Sequence, residues 1–202
     1  MNCKNCTGCT CDKTLDFFSG SPVAAHGSDC KAALPETLKS YEVLYVDCPW
    51  SYDNKGTRAK AENHYPTMNL QEIKDLKIPA ADNSILFLWS TATLLLEAIE
   101  VMQHWNFKYK TCAVWDKELI GLGNYFRIQH ELLLIGIKGK YPCPAPADRF
   151  SSVIRERRTK HSKKPVRAYE LIESMYPEAN KIELFARNLR PGWDAWGNEI
   201  NK

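Results

Sequence analysis

The sequence predicts an α/β domain in which a largely parallel β-sheet carries helices on both faces. Short apolar runs, typical of buried strands, alternate along the chain with segments whose apolar residues recur at helical spacing. The 202 residues are enough for one domain with a single core. We find no internal repeat in the sequence and no linker that would divide this core in two.

The predicted strands are short apolar runs. Glu131–Lys138 is apolar on both faces, as expected for a strand inside a sheet. The full set of predicted strands is Glu42–Asp47, Ser84–Trp89, Thr111–Trp115, Glu131–Lys138, Val153–Arg157 and Lys181–Ala186.

Three helices are predicted between these strands. Asn69–Leu76 is a short helix that an asparagine cap opens. Ala92–Trp105 shows apolar residues at helical spacing, and Pro165–Met175 has proline in its first turn, where proline is tolerated. Strands separated by helices favour parallel pairing, which is the basis of the predicted fold.

The composition indicates a water-soluble globular protein, with 44% apolar and 25% charged residues. No stretch reaches the ~20 apolar residues that a membrane span needs. The amino terminus lacks the hydrophobic region of a signal peptide. We therefore expect the protein to stay in the cytoplasm.

The most informative stretch is Asp47-Cys48-Pro49-Trp50, which follows the apolar run 43–46. Pro49 cannot continue a strand ladder, so the Asp47 carboxylate and the Cys48 carbonyl are expected at the carboxyl end of a strand. Ligands bind at that end in open α/β sheets. The alternative is purely structural: Asp47 caps a helix, Pro49 occupies its first position and Trp50 packs in the core.

Two acceptors beside an indole suit a planar ring that carries an exocyclic amine. The amine of adenine is a poor nucleophile because its lone pair is delocalised into the ring. Asp47 and the Cys48 carbonyl could accept its two N–H groups and favour the positive charge that develops on nitrogen. Trp50 could stack on the base, a contact worth ~1–3 kcal/mol. A redox role for the Cys48 thiol is the weaker idea, since a reactive thiol needs an electropositive setting.

The amino terminus contains four closely spaced cysteines, Cys3, Cys6, Cys9 and Cys11. Thiolates at such spacings could hold zinc or an iron–sulfur cluster, although the spacing matches no zinc template well. The alternative is a disordered polar tail. The other cysteines are expected to be reduced thiols in the core or in loops, namely Cys30, Cys48, Cys112 and Cys143.

The net charge of +3 says little about partners, but the positive residues are clustered. A band with a single acid, Glu156, could follow a phosphate backbone, whereas the alternative is a solvated loop. The band consists of Arg149, Arg155, Arg157, Arg158, Lys160, Lys163, Lys164 and Arg167.

From about residue 41 to residue 199, the chain resembles the METTL-type adenine-N6 methyltransferases, relatives of the eukaryotic mRNA adenine-methylation writer with small bacterial and phage members that modify DNA. Several motifs occur in the family's order. Beside Asp47-Cys48-Pro49-Trp50 they are His64-Tyr65-Pro66-Thr67-Met68, Leu86-Phe87-Leu88-Trp89, Lys110-Thr111 leading to Val114-Trp115, the run 123–131, His161-Ser162-Lys163-Lys164-Pro165, and Lys181–Arg187 with Trp193–Glu199. Cys48 departs from the family, which has proline there; if only the backbone carbonyl contributes, cysteine is tolerable.

The resemblance implies a Rossmann-like, S-adenosylmethionine-dependent methyltransferase fold in which the catalytic motif precedes the cofactor motif. It also implies roles for individual residues. Asp47, Cys48, Pro49 and Trp50 are the implied catalytic residues. The implied cofactor-binding residues are Asp47, Lys164, Glu183, Arg187, Asn188, Asn198 and Glu199. The implied substrate-binding residues are Tyr65, Tyr125, Arg127, His130 and Glu131.

We therefore expect an accessory region at residues 1–30 followed by a methyltransferase domain at residues 31–202. The expected reaction is methyl transfer to the N6 amine of adenine in DNA, with the adenine swung out of the helix. DNA is preferred because of the compact size and the lack of an evident RNA-binding module. RNA as substrate, a catalytically inactive nucleic-acid-binding homologue, and a metal or redox protein centred on the cysteines are the alternatives. The motifs leave open whether the chain forms a homo- or hetero-oligomer, and the host cytoplasm is the expected location if the chain is phage-encoded.

Overall fold

The structure is a computed structural model that describes residues 39–51, 67–159, 163–197 and 200. These residues contain seven strands and three α-helices. In chain order they are β1 (Tyr41–Val46), α1 (Leu70–Lys74), β2 (Ala80–Ser90), α2 (Leu95–His104), β3 (Lys108–Asp116), β4 (His130–Lys138), β5 (Val153–Arg155), α3 (Val166–Met175), β6 (Lys181–Leu184) and β7 (Asp194–Trp196).

The described strands form one sheet in the order β5-β3-β4-β2-β1-β6-β7. Parallel pairs join β1 to β2 and β6, β6 to β7, and β3 to β5, whereas β4 is antiparallel to both of its neighbours. The predicted largely parallel sheet is therefore confirmed. Because β4 runs in reverse, its first residue, His130, lies at the edge where the other strands have their carboxyl ends.

Helices cover both faces of the sheet, as predicted. On one face, Ile73 of α1 and Met102 of α2 pack against Leu44 of β1. On the other face, Ile172 of α3 packs in a second cluster with Tyr45 of the same strand. Successive residues of β1 thus contribute to opposite cores, as the strand geometry requires.

The predicted strand over Lys181–Ala186 is too long. Strand β6 ends at Leu184 because Phe185 adopts φ 61°, a left-handed conformation that cannot continue a strand.

The sequence analysis also missed β7, whose three residues are too few to show a period. Tyr41 donates a 2.8 Å hydrogen bond to Asp194 at the start of β7.

Several other boundaries differ from the predictions by a few residues. Strand β2 begins at Ala80, where pairing with Tyr41 adds four residues before the apolar run. Strand β5 ends at Arg155. The predicted helix from Ala92 begins with a 3-10 turn over Ala92–Leu94 before α2.

The predicted accessory region at residues 1–30, with Cys3, Cys6, Cys9 and Cys11, lies outside the described residues, so that region and its metal remain predictions. Among the residues that the structure describes, no helix is both long and apolar enough to cross a bilayer. The same residues contain no cluster of His, Cys, Asp or Glu that could hold a metal ion.

Candidate active site at the carboxyl edge of the sheet

Asp47 occupies the centre of the sheet's carboxyl edge. It follows β1, which lies between β2 and β6, and its predecessor Val46 pairs with Leu88 and Leu184 of those strands. All three of these apolar side chains are fully buried. The buried strand therefore fixes the position of a carboxylate that follows it directly.

A buried ion-pair network surrounds Asp47. The Lys164 ammonium lies 2.8 Å from Asp47 Oδ1 and 3.2 Å from Glu131 Oε2. Glu131 Oε1 also lies 3.3 Å from Lys117 Nζ. The side chains of Lys164 and Asp47 are only 11% and 21% exposed, so solvent screens the pair weakly. The structure thus brings together three residues to which the sequence analysis assigned catalytic, cofactor and substrate roles.

Burial and charge act in opposite directions in this network. Burial raises the pKa of Asp47 above its ordinary value, and the neighbouring Lys164 opposes that rise. Burial alone would lower the pKa of Lys164, but Asp47 and Glu131 outweigh it and raise the pKa. Glu131 has its pKa lowered, because its two lysines outweigh the effect of burial. Lys164 is therefore a cation at neutral pH.

The ammonium of Lys164 also sits over an aromatic ring. Its Nζ lies 5.5 Å from the ring centroid of Trp89, which is buried near the end of β2. This cation–π contact adds to the two carboxylates in holding the cation in place. Trp89 is a core residue.

The turn after Asp47 is fastened to the chain at Met68. The Pro49 carbonyl accepts a 2.8 Å hydrogen bond from the Met68 amide, and the Ser51 amide donates to the Met68 carbonyl at 3.1 Å. The Cys48 carbonyl accepts the Trp50 amide at 2.9 Å. A carbonyl oxygen has two lone pairs, so the Cys48 oxygen keeps one for a ligand.

The side chains of this turn point into the core. Trp50 is 7% exposed and packs in the cluster that contains Ile73 and Leu88. Stacking of Trp50 on a base stays a prediction. The Cys48 thiol is also buried, and burial raises its pKa well above the ordinary value. A thiol that stays protonated is a poor nucleophile, which argues against a redox role.

A second buried carboxylate lies on the neighbouring strand. Glu183 of β6 accepts a 2.8 Å hydrogen bond from the Tyr169 hydroxyl of α3. Burial raises the pKa of Glu183 to about 7, although the Tyr169 hydrogen bond works against that rise. The Tyr169 ring packs on Tyr45, with centroids 4.5 Å apart, and the Arg190 guanidinium lies 5.0 Å from the centroid of Tyr169.

Two other predicted cofactor residues follow the same end of β6. Arg187 is half-buried and Asn188 is exposed, and both follow the turn at Phe185. Asn198 and Glu199 lie outside the described residues. Their roles, like those of Lys164 and Glu183, stay predictions.

Four of the five predicted substrate residues lie in or beside the loop between β3 and β4. Tyr125 is exposed, and Arg127 is an exposed side chain whose Nε donates to the Gly121 carbonyl at 2.7 Å. His130 is half-buried where β4 begins. Glu131 joins the ion-pair network, whereas Tyr65 lies outside the described residues.

The sequence analysis missed two residues that support the site. Lys117 directly follows β3, so the rule that ligands gather at strand ends could have found it. Tyr169 gives no such signal, because its contact with Glu183 joins a helix to a strand 14 residues away.

The basic band divides into two groups. Arg155, Arg157 and Lys163 are exposed, whereas Lys164 is buried in the site, and Lys160 lies outside the described residues. Glu156 is used within the fold: its carboxylate accepts the backbone N–H groups of residues 166 and 167 at the start of α3, at 3.0 and 2.9 Å. It therefore caps a helix, a position that favours an acid.

The largely parallel seven-stranded sheet with helices on both faces is consistent with the Rossmann-like α/β fold of S-adenosylmethionine-dependent methyltransferases. A family model described as MT-A70 matches residues 41–199. The chain belongs to the MT-A70 family, which confirms the predicted resemblance.

Individual relatives agree with this assignment. The Type II methyltransferase M.MunI of Mycoplasma sp is 39% identical over 183 residues, covering 80% of this chain and 78% of that protein. The human N(6)-adenine-specific methyltransferase METTL4 is 29% identical over 195 residues, which are 86% of this chain but 40% of METTL4. The human N(6)-adenosine-methyltransferase catalytic subunit METTL3 is 28% identical, and the match spans 29% of its length.

Proposed function

We propose that the protein transfers the methyl group of S-adenosylmethionine to the N6 amine of adenine in DNA. The main support for this proposal is the Asp47 carboxylate at the carboxyl end of β1, whose Oδ1 lies 2.8 Å from Lys164 Nζ. Relatives named for N(6)-adenine or N(6)-adenosine methylation support the choice of atom. The match over most of both chains to a type II methyltransferase supports the choice of DNA.

The residues at this edge fit the cofactor's charges. The methionine part of S-adenosylmethionine carries an ammonium and a carboxylate, and Asp47 and Lys164 are a carboxylate and an ammonium. These two groups pair with each other in the structure, and each can also bind the opposite charge of an amino acid, because a carboxylate has two oxygens and an ammonium three donors. Glu183, Arg187 and Asn188 at the end of β6 are the proposed contacts for the adenosine part. Asn198 and Glu199 are proposed on the family motif alone.

When bound, the cofactor supplies an electrophilic methyl group on a sulfonium. Asp47 and the free lone pair of the Cys48 carbonyl would accept the two N–H groups of the adenine amine. Because these acceptors stabilise the positive charge that develops on nitrogen, Asp47 need not remove a proton before methyl transfer, and proton loss follows. Lys164 keeps the Asp47 carboxylate ionised despite its burial, and Glu131 and Lys117 fix Lys164 in turn.

The target base has to reach Asp47. An adenine amine inside a duplex is paired and stacked, so the enzyme must swing the nucleotide out into the site. Tyr125, Arg127 and His130 are proposed to contact the substrate there, as is Tyr65.

Incubation with labelled S-adenosylmethionine and separate DNA and RNA pools, followed by nucleoside mass spectrometry, tests the proposal. We expect labelled N6-methyladenine in DNA. Label in RNA alone would overturn the choice of DNA, and label in neither pool would favour a nucleic-acid-binding protein without catalytic activity.

A further inference from the structure

We propose that the loop over residues 117–129 is a wedge that enters the DNA duplex where the target adenine leaves it. This inference rests on the proposed function and concerns how the same site obtains its base. Four large apolar side chains within seven consecutive residues face solvent. Ile120 is 67% exposed, Leu122 74%, Tyr125 98% and Phe126 88%. Single exposed apolar residues are ordinary, but such a cluster marks an interaction surface.

The backbone of this wedge loop is closed by its own hydrogen bonds. The Gly121 amide donates to the Ile128 carbonyl at 2.9 Å, and the Ile128 amide donates to the Leu122 carbonyl at 3.2 Å. Gly123 approaches the Phe126 carbonyl so closely that a Cβ would lie 1.9 Å from its oxygen. The loop is therefore a tight hairpin that holds its apolar side chains outward, so burying them requires a partner.

The base of the wedge loop is part of the candidate active site. Its ends are joined by the Lys117 amide, which donates to the Gln129 carbonyl at 2.9 Å. The Lys117 side chain pairs with Glu131, which pairs with Lys164 beside Asp47. The loop thus rises from the edge at which an extruded base would be held.

Charge favours a nucleic acid as the partner. The Arg158 amide donates to the Lys117 carbonyl at 3.1 Å. This hydrogen bond places the part of the basic band around Arg158 against the base of the loop. Arg155 and Arg157 of the basic band are exposed. Exposed cations beside an apolar wedge suit a duplex, whose phosphates bind the cations and whose base pairs receive the wedge. A second copy of this chain would bring like charges together.

Extruding an adenine breaks its pairing and stacking, and this cost is smaller when the base is already unpaired. An aromatic side chain that fills the gap restores part of the lost stacking. Removing the wedge should therefore lower the rate of methylation of a duplex and affect the rate on a single strand much less. Phe126 is the side chain best suited to test this, because it lies next to Tyr125 but has no assigned role in binding the target base.

The experiment compares kcat/KM on a duplex and on the same adenine-containing strand alone, for wild type, Phe126→Ala and Phe126→Leu. The control is Tyr109→Ala, which removes a partly exposed aromatic at the opposite end of β3. We expect Phe126→Ala to lower the duplex to single-strand ratio about tenfold or more. Phe126→Leu should recover much of it, because leucine also serves as a wedge, and Tyr109→Ala should keep the wild-type ratio.

A duplex with 2-aminopurine at the target position tests the wedge without turnover. Wild type should raise its fluorescence by unstacking the base, and Phe126→Ala should not. An unchanged ratio in Phe126→Ala, equal losses on both substrates, or no fluorescence change with wild type would overturn the wedge. A change of oligomeric state in Phe126→Ala would do so as well, by assigning the loop to contacts between copies. If wild type methylates no nucleic acid, the proposed function fails. A set of duplexes with 2-aminopurine at different adenine positions then decides the wedge, because a wedge raises the fluorescence of at least one of them with wild type and not with Phe126→Ala.

Discussion

Lys164 Nζ lies 2.8 Å from Asp47 Oδ1, with both side chains largely buried at the carboxyl edge of the sheet. Burying two charges is favourable only when each is well paired, and here Glu131 and the Trp89 ring complete the surroundings of the cation. The pair also presents one charge of each sign to a ligand. Asp47 directly follows β1, so the buried strand fixes the position of the carboxylate that is proposed to bind the adenine amine.

Asp47→Asn should lower methyl transfer at least ~10²–10³-fold, the usual effect of losing one preorganised electrostatic contact in a transition state. The fold should persist, because Lys164 keeps Glu131 as a partner. Initial rates with labelled cofactor measure the activity, and circular dichroism melting checks the fold. A variant with normal turnover would contradict the assigned role of Asp47.

Lys164→Met should reduce the free energy of unfolding by about 1–3 kcal/mol at pH 7, the usual cost of leaving a buried polar group without its partner, because it leaves Asp47 and Glu131 without their shared cation. Loss of the lysine raises the pKa of Asp47 further, so the folded state binds a proton more tightly than the unfolded state. The deficit should therefore shrink as the pH falls and the carboxylate becomes protonated.

Urea denaturation at pH 7 and pH 5 measures this difference. The matched control is Lys74→Met, which removes a pair at 2.8 Å whose acid, Glu100, is half exposed. Such a pair is worth about 0–1 kcal/mol. Equal losses in the two variants would show that the Asp47–Lys164 pair contributes no more than a surface pair.

Tyr169→Phe should shift the pH dependence of cofactor use. The Tyr169 hydrogen bond holds down the pKa of Glu183, which burial has raised to about 7. Without the hydroxyl, that pKa rises further, so ionised Glu183 appears only at higher pH. If the cofactor needs the ionised form, the rising limb of kcat/KM for S-adenosylmethionine moves up by about one pH unit.

The control for this variant is Tyr176→Phe, which removes a hydroxyl that donates to the Pro142 carbonyl at 3.2 Å. Its pH profile should match that of wild type. A Tyr169→Phe profile identical to the control would mean that Glu183 does not act through its ionised form.

Asn69→Ala should destabilise the protein by about 1 kcal/mol, the usual cost of losing an N-cap. The Asn69 side chain accepts the Glu72 amide at 2.9 Å, and the Glu72 carboxylate accepts the Asn69 amide at 3.0 Å. Asn69→Asp keeps the acceptor and should remain close to wild type in urea denaturation. Equal losses in both variants would show that the cap contributes little to α1.

Features set by neighbours in sequence could be predicted. The Asn69 cap and the position of Asp47 after a buried strand are local patterns, and both are found in the structure. The reversed direction of β4 and the end of β6 at Phe185 depend on tertiary pairing and on one backbone angle, which no periodicity shows. For the same reason, the contact of Tyr169 with Glu183 became visible only in the folded chain, whereas Lys117 directly follows β3 and could have been found from the sequence.

A crystal structure of the protein with S-adenosylhomocysteine would show whether the cofactor binds at Asp47. We expect the amino-acid end of the ligand beside Lys164 and Asp47, with the adenosine end toward Glu183 and Arg187. A ligand bound away from Asp47, with the Asp47–Lys164 ion pair unchanged, would contradict this expectation.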